Sequence, residues 1–106
     1  MNRADVSDVL LEDVKNELGV TWKDEATDNL YRGFIARATT YLDGKGGTEF
    51  DYEFDGDARA LMIEYVRYAR DAALDVFENN YLSMILSLQN RREVDAYLAK
   101  TKQAEQ

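Results

Sequence analysis

The chain predicts an all-α fold, a small bundle of three to four helices, and three observations carry that expectation. Proline is absent from the 106 residues. Glycine is confined to turns apart from Gly33. Apolar residues recur at i, i+4 and i+7 over long stretches, the period of a helix that buries one stripe. A chain of this length forms a single domain, residues 1–106, and buries about two-thirds of its unfolded surface. The core is expected over about residues 7–98, with 99–106 as a frayed tail.

The first helix is expected from Ser7 to Leu18. Ser7 is placed as N-cap, Val6 and Leu11 as a hydrophobic staple, and Gly19 follows the end. Its buried stripe would be Leu10, Leu11, Val14 and Leu18. The second starts near Thr21 or Asp24 and runs to Leu42, with Gly44 as the stop. Leu30, Tyr31, Phe34, Ile35, Ala38, Tyr41 and Leu42 define its wide apolar face. Asp28 and Arg32 form an i, i+4 pair on the other side. Gly33 costs about 1 kcal/mol against alanine inside a helix and so marks a close helix crossing.

Residues 44–56 break the helical pattern. Phe50, Tyr52 and Phe54 alternate with Glu49, Asp51, Glu53 and Asp55, a period of two that suits an extended segment with one aromatic face. A long acidic and aromatic loop between the second and third helices is therefore expected, and loops of this length in compact domains usually bind something. The third helix is expected from Asp57 to about Glu78, where Glu78-Asn79-Asn80 reads as a polar break. Ala69, Ala72 and Ala73 thin its apolar face and allow close approach of another helix. A fourth apolar run, Tyr81 to Leu88, precedes an amphipathic segment from Arg91 with Val94, Tyr97 and Leu98 on one face.

Composition excludes much chemistry. With no cysteine and no histidine, the chain has no disulfide, no thiolate zinc site, no cysteine nucleophile and no histidine general base. The polar N-terminus lacks the apolar core of a signal peptide, and no apolar run approaches the roughly 20 residues of a membrane helix. A soluble protein of the cytoplasm is expected, with no membrane partner. Net charge is −8. Residues 1–57 hold fourteen acids against six bases, and residues 58–106 hold seven of each. Tight binding of nucleic acid needs a basic stripe that this chain does not offer.

Three motifs resolve to ordinary structure. Asp51-x-Glu53-x-Asp55-Gly56 resembles the opening of a calcium loop, but Met62 stands where the bidentate glutamate belongs. Gly44-Lys45-Gly46-Gly47 lacks the preceding strand and the Lys-Ser/Thr pair of a phosphate loop. The 21 acids offer many carboxylate pairs and single out none for glycoside hydrolysis. No catalytic residue, cofactor site or metal site is expected.

The candidate residues are instead protein contacts. Phe50, Tyr52 and Phe54 in the loop, with Tyr81, Leu82, Ile85 and Leu86 near the C-terminus, are the expected interface. Tyr31, Tyr68 and Tyr97 are further aromatic anchors of the kind interfaces favour. Arg67 has Glu64 and Asp71 within helical reach. Together with Arg70 it is also placed to meet the acidic N-terminal half of another subunit.

The order of features resembles the small phage head-tail connector proteins, also called head-completion or DNA-packaging adaptors. The matching elements begin with Leu10-Leu11-Glu12-Asp13-Val14-Lys15, then the acidic lead-in Asp24-Glu25-Ala26-Thr27-Asp28 to a helix ending Ala38-Thr39-Thr40-Tyr41-Leu42-Asp43. An alanine- and tyrosine-rich helix follows, then Phe77-Glu78-Asn79-Asn80-Tyr81-Leu82 and Ile85-Leu86-Ser87-Leu88-Gln89. The similarity spans roughly residues 8–98 and rests on pattern and order. It implies a non-enzymatic helical subunit that forms a ring of about a dozen copies on the portal protein and meets a downstream joining or stopper protein. It further implies a place at the head-tail interface of a virion, after a period in the host cytoplasm. DNA would pass an acidic lumen without sequence-specific binding. The loop at 44–56 looks longer and more aromatic than is usual for that family. The alternative is a small cytoplasmic helical regulator or DNA mimic that binds a basic protein.

Overall fold

The computed structural model describes residues 1–104, of which 92, 93, 95, 96, 99 and 101–104 are described by backbone alone. These residues form four α-helices and one short 3-10 turn, Arg3–Asp5. Helix α1 is Asp8–Glu17, α2 is Glu25–Gly46, α3 is Gly56–Arg70 and α4 is Leu74–Ala104. Among the described residues there is no strand, and no helix is long and apolar enough to cross a membrane.

Helix α1 begins as its sequence dictates. The Ser7 hydroxyl accepts a hydrogen bond from the Leu10 N–H at 3.1 Å, and Val6, Leu10, Leu11 and Val14 are buried. Gly19 follows in the left-handed region with φ of 74°, a conformation that is free for glycine. Leu18, expected on the buried stripe, is the half-buried C-cap.

Helix α2 is the centre of the bundle, packed against α1, the 3-10 turn, α3 and α4. Asp24 caps it, accepting from the Thr27 N–H and the Thr27 hydroxyl, each at 2.8 Å. The backbone hydrogen bond from Thr27 is the main reason the Asp24 carboxyl titrates below its ordinary value. Tyr31, Ile35, Ala38 and Leu42 are buried as the periodicity requires, whereas Leu30 is exposed. The helix does not stop at Gly44. It runs through Gly46 and ends where Gly47 adopts φ of 71° and donates its N–H to the Asp43 carbonyl at 2.9 Å. A glycine ends a helix when the left-handed cap falls on it, and that position is Gly47.

The connection to α3 is therefore residues 47–55, shorter than the expected 44–56, and it is turned rather than extended. Asp51 accepts the Asp55 N–H at 2.7 Å through its carbonyl. The three aromatic residues consequently take three different places and share no face. Phe50 is half-buried over Gly46, Tyr52 is buried, and Phe54 is exposed.

The largest departure from the sequence pattern lies at the end of α3. The helix expected to continue to Glu78 closes at Arg70, and Glu78-Asn79-Asn80 lies inside α4. Ala72 has a positive φ of 56°, its N–H reaches the Ala69 carbonyl at 3.1 Å, and the Ala73 N–H reaches the Tyr68 carbonyl at 2.8 Å. Those two bonds are a Schellman motif with alanine where glycine is usual. The chain reverses there, and α4 returns along α3. The start of α4 meets the end of α3 through Phe77 and Tyr65, with ring centroids 5.4 Å apart. Further along α4, Arg91 meets the start of α3 through Asp57 at 3.3 Å and its N-cap Asp55 at 2.6 Å.

One aromatic cluster joins α2, α3 and α4. Phe77 stacks on Tyr81 at 5.2 Å and meets Tyr65, Tyr68 and Tyr41 edge-on or tilted at 5.4, 6.0 and 6.3 Å. Arrangements of this kind contribute about 0.5–1.5 kcal/mol per pair beyond area burial. Tyr41 and Tyr65 rise above the ordinary phenol pKa chiefly because burial disfavours the phenolate.

Candidate interaction surfaces

Helix α4 has 31 residues and α3 has 15. At 1.5 Å per residue these are about 46 Å and about 22 Å. Since Arg91 already lies beside the start of α3, the last turns of α4 extend past it, and the molecule measures 55 × 28 × 19 Å. Phe77, Ile85 and Leu88 are buried on the inner side of α4. Leu82 and Leu86, one helical turn apart on the outer side, are 50% and 51% exposed. Beyond Arg91, Val94, Tyr97 and Leu98 are exposed as well. A helix whose apolar residues surround it, yet which is covered on one side, offers the rest to another surface.

The expected contact residues separate accordingly. Tyr52 and Ile85 are core residues, 2% and 3% exposed. The Tyr52 hydroxyl donates to Asp43 Oδ1 at 2.6 Å, which fixes the loop to α2. Tyr31 is also buried. Tyr81 is half-buried in the aromatic cluster and its hydroxyl donates to Glu64 Oε2 at 3.2 Å. Leu82, Leu86 and Phe54 remain on the surface, Phe54 at 84% exposure. Arg67 pairs with Glu64 at 3.3 Å, as its spacing suggests. Arg70 takes Asp71 at 3.7 Å and donates to the Leu18 carbonyl at 3.4 Å, so it ties α3 to the end of α1 within one chain. Asp28 and Arg32, expected to pair with each other, instead reach α1 separately: Asp28 to Lys15 and Arg32 to Asp8.

The structure adds a surface that periodicity does not reveal. A cavity of about 530 Å³ lies between α2 and the N-terminal turn, lined by Arg3, Gly33, Arg37, Thr40, Tyr41 and Tyr65 among others. The close approach marked by Gly33 is made by the Arg3 guanidinium, which occupies the place of a side chain at 33. Gly33 therefore does not mark the close helix crossing expected from the sequence; the approach is that of a side chain, and the sequence does not show it because Arg3 lies outside any periodic segment. A larger concavity of about 870 Å³ covers the start of α2. Of its three carboxylates, Asp24 is engaged in the cap and Asp28 with Lys15, while Glu25 makes no ion pair among the described residues. Among the described residues no three potential ligands converge closely enough to hold a metal ion.

Comparison with protein-family models, curated proteins and solved structures finds no match to this chain.

Proposed function

We propose that this chain is a structural subunit of a phage or prophage head-tail connector, which assembles as a ring on the portal protein and carries the attachment surface for a downstream joining or stopper protein. The observation that supports it best is α4, which is longer than the bundle needs and has Leu82, Leu86, Val94, Tyr97 and Leu98 exposed. In a ring these residues lie against neighbouring subunits or the portal. The loop between α2 and α3, acidic and tipped by Phe54, supplies a second contact, and the excess of carboxylates lines the channel, where like charge keeps DNA sliding. The subunit performs no chemistry of its own. It waits in the host cytoplasm as a monomer or weak oligomer until the portal provides a template.

Sedimentation of the purified chain, alone over a concentration series and then mixed with the portal protein encoded beside it, tests this reading. A monomer that becomes a many-copy ring on the portal is the expected result. A chain that ignores the portal and forms a one-to-one complex with a basic protein overturns it in favour of a regulator.

A further inference from the structure

Acids outnumber bases 21 to 13 in this chain, so an unpaired base is more informative than an unpaired acid. Lys15, Arg32, Lys45, Arg59, Arg67, Arg70 and Arg91 all lie within 4.0 Å of a carboxylate. Of the bases that pair with no carboxylate among the described residues, Arg3 and Arg37 line the cavity of about 530 Å³, and Lys23 lines the larger concavity at the start of α2. Arg3 and Arg37 converge on Gly33. The Arg3 guanidinium lies over it, and Arg37 Nε donates to its carbonyl at 3.4 Å while its guanidinium covers the Phe34 ring at 5.3 Å. Tyr41 and Tyr65 give the same cavity aromatic walls. Such a site takes an aromatic group that carries a carboxylate, because the rings receive the apolar part and the guanidinium forks the charge.

The chain itself presents that chemistry elsewhere. Phe54 is 84% exposed and follows Glu53. Glu49, Asp51 and Glu53 make no ion pair among the described residues; Glu53 accepts only the Ser7 hydroxyl at 2.6 Å. We propose that Phe54 and Glu53 of one copy dock into the Arg3, Arg37, Tyr41 and Tyr65 cavity of the next. Donor and acceptor surfaces differ: repeated with one rotation the contact runs head-to-tail from copy to copy, as a ring requires, whereas a two-fold pair makes it twice and closes. It deepens the ring reading and rests on it for closure of the ring, but not for the contact itself.

A photoreactive benzoylphenylalanine incorporated at Phe54 keeps the aromatic group and captures even a weak contact covalently. A concentrated mixture of isotope-labelled and unlabelled full-length chain is irradiated, and mixed-isotope crosslinks are mapped by mass spectrometry. The expected product joins position 54 of one copy to residues 33–41 of another. Arg37→Glu or Glu53→Lys alone lowers its yield by about tenfold, the effect of losing one close charge pair, and the two changes combined restore it. Crosslinks that map elsewhere, a yield indifferent to Arg37→Glu, or no intermolecular product overturns the contact. If the chain still forms rings on the portal in that case, the connector reading stands without it. If the expected crosslink forms but the chain closes only into small oligomers off the portal, the contact stands and the ring reading falls.

Discussion

Lys15 Nζ donates to Asp28 Oδ1 at 2.6 Å across the α1–α2 contact, and the lysine side chain is 2% exposed while the aspartate is 33% exposed. The pair lies in the contact between α1 and the helix that organises the bundle. Removing only the anion leaves a buried ammonium without a partner, which costs far more than the pair contributes. Asp28→Asn should destabilise the fold by about 1–3 kcal/mol, less than for a fully buried pair because water reaches Asp28. Lys15→Met should be close to neutral, since it removes the charge and keeps the volume. Urea denaturation of both variants checks this, and equal destabilisation by the two would refute it.

The turn between α3 and α4 holds Ala72 at φ of 56°. A non-glycine residue in that region costs about 1–2 kcal/mol, and glycine returns part of that through its freer unfolded chain. Ala72→Gly should therefore stabilise the protein by about 0.5–1 kcal/mol, and raise Tm by about 2–8 °C for a domain of this size. A lower Tm would show that the Ala72 methyl packs more favourably than its exposed position suggests.

That turn also explains where sequence reasoning stopped. The starts of α1 and α2 were legible because Ser7 and Asp24 are capping residues placed before helical periodicity. The reversal at 71–73 was not, since its left-handed residue is alanine and the apolar period passes through it unbroken. Glu78-Asn79-Asn80 looked like a break, but these three residues lie on the exposed side of α4 and leave the helix intact. Of the residues singled out as contacts, Leu82 and Leu86 lie on the surface and Tyr52 and Ile85 in the core, a difference that the pattern alone does not show. The Arg3 and Arg37 cavity depends on which cations lack partners, a property that exists only after folding.

Two glycines two residues apart in α2 should respond oppositely to alanine. A side chain at Gly44 meets nothing within 4 Å, so Gly44→Ala should gain about 0.5–1 kcal/mol of helix propensity. A side chain at Gly46 runs into the Phe50 ring, a rigid group that packs against Tyr52 with centroids 6.3 Å apart. Gly46→Ala should cost about 1–3 kcal/mol as the loop shifts to admit it. Thermal unfolding of the two variants decides, and the same sign of change in both would be the adverse result.

Tyr52 couples the loop to α2 and gives the fold an alkaline limit. Burial, then its hydrogen bond to the Asp43 carboxylate, raises its phenol well above the ordinary value of 10.0. The folded state therefore holds the Tyr52 proton at a pH where the unfolded chain has released it. Stability present below pH 10 falls as pH rises from the unfolded value toward the folded one, because the unfolded state binds fewer protons. Tyr52→Phe should cost about 1–2 kcal/mol at neutral pH, where Asp43 loses the shorter of its two donors and keeps the Phe50 N–H. It should also flatten, without abolishing, the loss of stability above pH 10, since Tyr41, Tyr65 and Tyr81 are raised as well. Denaturation midpoints for both proteins between pH 7 and pH 11 test the sign; an alkaline limb as steep in Tyr52→Phe as in the parent would assign the limit to other tyrosines.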